Sequence, residues 1–356
     1  MAAKLMILFC LALFLASPVF GQNKPSIDLD WYGYFKLDAA YDQNQTSHGN
    51  FAMYVKNNAE KDEQFNMTHK QTRFGVKASS NGYDNVKLGG QLEFDMYAGG
   101  GTENKALLLL RHAYLTYESG SFQLLAGQSW DLISPLNPST LNYPVLWGCG
   151  NIGYRRPQIR LTYNYKPSDN SKVRFAGGFF RTIGGDLTPT LTLATEVNDG
   201  SDDGTDSGMP SFQGIIDWTQ KFESGTKVRA GVSGIYGQLK AEGDLGSSET
   251  YSSQGVMGHL WVSFAQGWGF SGEFHSGSNL VGYFGGINNA STFDGVSSTG
   301  GWGWAWVKAS SKVTLGAGYG TDNPKDADIS AGSITNNTSY FFNIKYSPVK
   351  AFTMGI

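Results

Sequence analysis

Arginine placement is the first sign of chemistry in this sequence. In the run Tyr154-Arg155-Arg156-Pro157-Gln158-Ile159-Arg160-Leu161-Thr162-Tyr163, Arg156 and Arg160 share parity with Gln158 and Thr162, opposite Ile159, Leu161 and Tyr163. The same alternation turns Lys36, Arg73, Lys77, Lys87, Arg174 and Arg229 toward the polar side of their own segments. A guanidinium stays charged and can hold a carboxylate or phosphate through two parallel N–H bonds. A ladder of such groups along a narrow aqueous passage favours small anions. Asp38, Glu93, Asp95, Asp217 and Glu273 fall on that polar side too. Two readings therefore stand: a passage with a mild preference for anions, or a field-balanced one whose basic and acidic rows pair.

Other reactive residues carry little. His112, His259 and His275 sit in no motif that names a reaction, and neither HxxxH nor CxxC spacing occurs. Cys10 lies in the apolar leader, which leaves Cys149 without an intramolecular partner in a Gly-rich loop. No cofactor, no metal and no enzymatic activity are expected. A net charge of -3 implies no nucleic-acid partner.

The elements that would position these side chains are strands. Residues 28–42 alternate Leu29, Trp31, Gly33, Phe35, Leu37, Ala39 and Tyr41 against Asp30, Tyr32, Tyr34, Lys36, Asp38 and Asp42. Period two places the two sets on opposite faces, as a wall between lipid and water requires. Fifteen such segments follow one another, near 28–42, 67–79, 85–97, 107–118, 121–130, 156–166, 172–182, 211–223, 227–239, 254–265, 268–277, 301–309, 312–321, 338–346 and 350–356. Most match the roughly 9–11 residues a tilted strand needs to cross hydrocarbon. Their connections alternate between short turns such as Glu118-Ser119-Gly120-Ser121 and long loops, the asymmetry of bacterial outer-membrane barrels. Mean hydropathy is negative, yet 47 Gly and 14% aromatic residues suit tight turns and aromatic belts. The expected fold is an all-β transmembrane antiparallel β-barrel with outer-membrane lipid around it.

One connection differs from the rest. Residues 131–155 hold one acid, three prolines and a run of large apolar side chains, whereas 183–210 carries Asp199, Asp202, Asp203 and Asp206. An apolar loop of this length is costly in water, so it should pack against the inner wall and narrow the passage. The alternative is packing at a subunit interface or over the barrel mouth. Asp131, Tyr143, Trp147 and Arg155 are its candidate functional residues. Arg111 is the exception to parity: it aligns with outward Ala113, Leu115 and Tyr117, which places it at a subunit interface or on a β-bulge.

The ends add two expectations. Residues 1–21 read as a signal peptide, with Lys4, an apolar run from Leu5 to Leu15 and small residues near Gly21. The barrel would then occupy 22–356. Bacterial single-chain barrels have even strand numbers, and the fifteenth segment stops at Ile356, so the closing strand of a sixteen-stranded barrel is expected to be missing from this chain.

The run Leu110-Arg111-His112-Ala113-Tyr114-Leu115, then Ala126-Gly127-Gln128-Ser129-Trp130, then Arg156-Pro157-Gln158-Ile159-Arg160, resembles the DcaP-like family of trimeric outer-membrane porins. Gly33-Tyr34-Phe35-Lys36-Leu37-Asp38 and Thr72-Arg73-Phe74-Gly75 resemble its first two strands. The likeness runs from about residue 31 onward and is most specific in the middle third. It implies a sixteen-stranded homotrimer that passes small, often dicarboxylic, anions by diffusion, with Arg73, Arg156 and Arg160 at inward positions. The helical coiled-coil extension of some relatives has no counterpart between Asn23 and Ile27. A general or phosphate-type pore, and an outer-membrane barrel enzyme, are the competing functions.

Overall fold

The computed structural model describes residues 27–47, 49–56, 62–80, 86–99, 106–184, 203–242, 248–288 and 295–356. The signal peptide expected at 1–21 lies outside the described residues. The strands are β1 (Ile27–Tyr34), β2 (Asp38–Asp42), β3 (Gln64–Thr68), β4 (Arg73–Ser80), β5 (Val86–Asp95), β6 (Leu109–Ser119), β7 (Phe122–Trp130), β8 (Arg155–Ser168) and β9 (Ser171–Phe180). They continue with β10 (Ser211–Lys221), β11 (Lys227–Glu242), β12 (Ser248–Ser263), β13 (Trp268–Ser278), β14 (Ser297–Lys308), β15 (Val313–Pro324), β16 (Asn337–Val349) and β17 (Phe352–Gly355). A sheet of fifteen antiparallel strands runs β1-β4-β5 and then in chain order to β17, while β2 and β3 pair as a ribbon. β1 with β2, and β3 with β4, make up the first two expected segments, so each of the fifteen has its strand.

The first two segments are broken where the alternation gives no warning. Residues 35–37 on one side face 69–72 on the other, an offset of one residue between the β1–β4 and β2–β3 registers. Thr72 bridges the break: its hydroxyl accepts from the Lys36 amide at 3.1 Å and donates to the Lys36 carbonyl at 3.3 Å. The kink leaves Phe35 fully outside and swings Lys36 inward.

Polarity is inverted relative to a water-soluble domain. Large apolar side chains such as Trp31, Leu92, Leu115, Ile159, Leu161, Phe175, Ile216, Val232, Phe274 and Phe342 are exposed on the outer face. Glu93, Asp95, Arg156, Gln213, Asp217, Glu273, His275 and Asp322 are buried inside. In water such an apolar belt would drive association; against hydrocarbon it is the favourable surface. The fold is thus the expected transmembrane antiparallel β-barrel.

The turns follow the sequence closely. Gly120 and Gly225 take φ of 56° and 82°, left-handed values at which a Cβ is strained, and each sits in one of the expected short turns. On the opposite side β11 and β12 extend to 16 residues each. That exceeds what the hydrocarbon requires, so the pair runs on beyond it. In β12 the added stretch Ser248-Glu249-Thr250-Tyr251-Ser252-Ser253 carries no apolar alternation, so its expected segment began only at 254, whereas β11 keeps Ile235 and Leu239 buried and continues three residues past its expected end.

Candidate solute pathway

Inside the barrel the hydrophobic packing belongs to the loop at 131–155. Among the described residues every buried apolar cluster contains a residue from it: Ile133 and Ile152 with Met257 and Tyr283; Tyr143 and Trp147 with Met53 and Tyr97; Leu132 with Phe180 and Ile215; Leu146 and Cys149 with Trp302. Each fully buried aliphatic side chain contributes about 1.5–3 kcal/mol, enough to hold a long connection against the wall.

Polar anchors fix where the loop lies. Asp131 closes its base, accepting from Gln213 at 2.7 Å and from the Tyr154 amide at 2.9 Å. Glu273 on β13 takes Ser134 at 2.6 Å, the Leu136 amide at 2.9 Å and the Trp302 indole at 3.2 Å. Farther along, Asn343 and Lys345 on β16 donate to the Ser139 carbonyl at 2.9 and 3.0 Å. Two residues later the Leu141 carbonyl accepts from Lys36 at 2.6 Å. One loop segment therefore touches both the β1–β2 kink and β16, and the sheet curls round until its first and last parts face the same residues. Gly150 (φ 96°) presses on the wall, where a Cβ would collide with the carbonyl oxygens of Gly301 and Thr321.

A second connection folds inward as well, which the expected long loop at 278–300 did not foresee. Leu280, Tyr283 and Ile287 are buried, and the ring of Phe284 stacks on Trp147 with centroids 4.8 Å apart. The amides of Gly148 and Gly153 donate to the carbonyls of Phe284 and Tyr283 at 3.0 and 2.8 Å. The signal was present in Leu280-Val281-Gly282-Tyr283-Phe284, an apolar run of the same kind as that in 131–155.

The inward charges form two groups. On β4–β6, Arg111 pairs with Glu93 at 2.7 Å and with Asp95 at 2.5 Å, and Arg73 approaches the same two carboxylates at 3.6 and 3.9 Å. Tyr32 donates to Glu93 at 2.8 Å and Tyr143 to Asp95 at 3.1 Å. A β-bulge makes this possible: Glu93 pairs with His112 and Phe94 with Leu110, so Arg111 is the extra residue and it turns inside beside His112. This group balances, two cations on two anions, with Lys36 on Asp38 at 2.9 Å nearby.

The group on β8–β11 does not balance. Asp217 receives Arg174 at 2.7 Å and Arg229 at 2.5 Å, with His259 at 3.9 Å. Arg160 and Lys172 stand on the same wall, and Asp217 is the one carboxylate of these four strands besides the terminal Glu242. Arg160 has no carboxylate within ion-pair distance among the described residues. Both Arg174 and Arg229 keep about a quarter of their side-chain surface open, at 26% and 27%.

Several candidates have another place than a passage lining. Arg156 does point inward but is fully enclosed: it pairs with Asp131 at 2.8 Å, lies over the Tyr283 ring and donates to the Gly282 carbonyl at 2.8 Å. It is a clamp between the two inward loops, not an open rung. Arg155 is sandwiched by Trp130 and Tyr154 at 4.6 and 4.5 Å. Asp131, Tyr143 and Trp147 are likewise buried on the anchoring side of their loop, whose exposed residues are Asn137 and Asn142. Burial pushes the Tyr143 phenol up to about 12 despite the pull of Arg155 and Arg111, so it acts as a neutral donor. The Cys149 thiol, donating to the Gly320 carbonyl at 3.2 Å, is also raised by burial, to about 12. Among the described residues no three His, Cys, Asp or Glu side chains are grouped to hold a metal.

No protein-family model and no curated protein matches this sequence. Solved structures do match its fold. OmpF of Salmonella typhi, in a complex with daunomycin, superposes with a TM-score of 0.53 at 13% identity, over 92% of this chain and 88% of that one. A loop-deletion mutant of OmpT, an outer-membrane protein of Vibrio cholerae, gives 0.51 at 12% identity, over 93% and 94%. OprB of Pseudomonas putida gives 0.50 at 12% identity, over 90% and 85%. At such identities the likeness is one of fold, that of the outer-membrane porin barrels.

Proposed function

We propose that this protein is an outer-membrane porin, a passive water-filled channel for small hydrophilic solutes with a mild preference for anions such as dicarboxylates. The observation that carries the reading is the inverted wall, apolar outside and charged inside, crossed by a loop anchored at several points of its circumference. Such a wall suits lipid on one side and water on the other. Loop 131–155 is then the constriction, with Asn137 and Asn142 at its open rim. The proposed role is diffusion, which calls on no group of the pathway to break or form a bond.

The anion preference draws on the β8–β11 wall, where Arg160, Lys172, Arg174 and Arg229 outnumber the carboxylate of Asp217. Fixed positive charge in a narrow, low-dielectric lumen raises the local concentration of anions. The balanced group around Glu93 and Asp95 favours a second reading, a general or phosphate-type pore without dicarboxylate preference. The DcaP-like resemblance, with its homotrimer, supports the first. Reconstitution in planar bilayers under a KCl gradient separates them. Discrete conductance steps with a reversal potential on the chloride side are expected, together with a shift toward potassium in Arg160→Glu. Silence at every voltage would overturn the channel, and an unmoved reversal potential in Arg160→Glu would overturn the basic wall as its selectivity element.

A further inference from the structure

Next to the basic wall the interior carries indoles where a polar lining would be expected. Trp302, Trp304 and Trp306 share one face of β14, and Trp302 donates to Glu273, so that face points inward. Trp304 and Trp306 stack with ring centroids 4.6 Å apart at 27°, and Trp306 continues onto Trp261 of β12 at 6.2 Å and 26°. Facing glycines make room for these rings: a Cβ on Gly269 would collide with Trp306, and one on Gly316 would crowd Trp304. Unlike Trp302, these three indoles are only half-buried.

The register joins the two features. Arg229 on β11 is the direct cross-strand partner of Trp261 on β12. Side chains so paired stand about 5 Å apart on one face. Arg229 shares Asp217 with Arg174, so the pair of guanidiniums carries one positive charge beyond what that carboxylate offsets. Cation and flat apolar surface therefore lie side by side along the turn-side half of the lumen.

We infer that this track selects aromatic monocarboxylates: the carboxylate at Arg229 and Arg174, the ring over Trp261 and Trp306. A carboxylate attached to its ring directly or through one carbon keeps the two groups as close as cross-strand neighbours are. Aliphatic dicarboxylates would use the cations and leave the indoles idle, whereas a neutral sugar would use the indoles and leave the cations idle. The inference rests on the proposed pore and names one solute class within it.

The test compares sodium benzoate with sodium cyclohexanecarboxylate, equal in charge and similar in size, as blockers of chloride current through the full chain in planar bilayers. Benzoate is expected to reach half-block at about threefold to tenfold lower concentration, the range that one or two added ring contacts support. In Trp261→Leu and Trp306→Leu the ratio between the two acids is expected to fall to one. Equal block by the two acids in the unaltered protein overturns the track, as does a ratio that survives both substitutions. Stronger block by glucose than by benzoate would overturn it in favour of a sugar site. A chloride preference measured in the same bilayers stands or falls separately, so failure of the anion reading and failure of the aromatic track are distinguishable.

Discussion

The guanidinium carbon of Arg156 lies over the ring of Tyr283, 3.9 Å from its centroid, while its Nε meets Asp131 at 2.8 Å. Tyr283 belongs to one inward connection and Asp131 to the base of the other, so a single side chain couples both. Arg156→Met should leave Asp131 buried without its cation, a loss of about 3–5 kcal/mol for a fully enclosed pair. The expected result is a lower thermal transition, read by heat-dependent gel migration, together with noisier single-channel currents. A lysine in its place cannot lie flat on the ring or reach both partners, so Arg156→Lys should rescue little.

Arg111 occupies its inward place because β6 carries one extra residue there. Its removal in Arg111→Met leaves Glu93 and Asp95 with Arg73 as their one ion-pair partner among the described residues, at the longer distances of 3.6 and 3.9 Å. The reversal potential under a KCl gradient should move toward potassium. A reversal potential that stays at its original value would show that this group does not face the conducted ions.

Asp217 gives the opposite sign. Asp217→Asn removes the carboxylate that Arg174 and Arg229 share, and the wall gains one net positive charge. Chloride selectivity should rise, most clearly below about 0.1 M salt, where the screening length exceeds about 10 Å. Stability should fall only modestly, because both arginines reach solvent.

Cys149 supplies a pH prediction. Its thiol is raised from 9.0 to about 12 by burial, so the folded state keeps its proton where the unfolded chain releases it. The stabilising contribution is complete below about pH 9 and is lost as pH rises toward 12. Maleimide labelling at pH 8 should be slow in the folded barrel and fast after denaturation. Rapid labelling of the folded form would show that the loop around Cys149 opens readily.

The sequence makes the wall legible because a period of two is a strong signal when one face meets lipid. Fifteen segments, their turns at Gly120 and Gly225, and the inward sense of Arg73, Glu93, Arg160, Arg174, Asp217 and Arg229 all follow from alternation. What alternation cannot carry is irregularity. The break at 69–72, where four residues face the three at 35–37, and the bulge at Arg111 each shift the count by one without a proline or glycine to mark it. Nor does composition say which loop residues anchor and which line: Trp147 and Asp131 look functional by type, yet each is committed to packing or to an ion pair. The indole track is hidden in the sequence for a related reason. Trp302, Trp304 and Trp306 alternate as an apolar face does, and only the contacts of Glu273 and the glycines opposite show that this face is the inner one.

The loop anchored by Glu273, Asn343 and Lys36 has a bearing on the order of assembly. Ser134 and Glu273 are 139 residues apart in the chain, Gly148 and Asn337 are 189, and Ser139 and Asn343 are 204. Contacts of such separation form late, because the intervening chain must first be brought into register. A water-soluble domain collapses onto its apolar core early and builds outward. Here the apolar interior has no surface to settle on until distant strands have been paired, so docking of residues 131–155 is expected to follow the pairing of the wall. Until the loop docks, the wall encloses a bore wider than that of the finished protein.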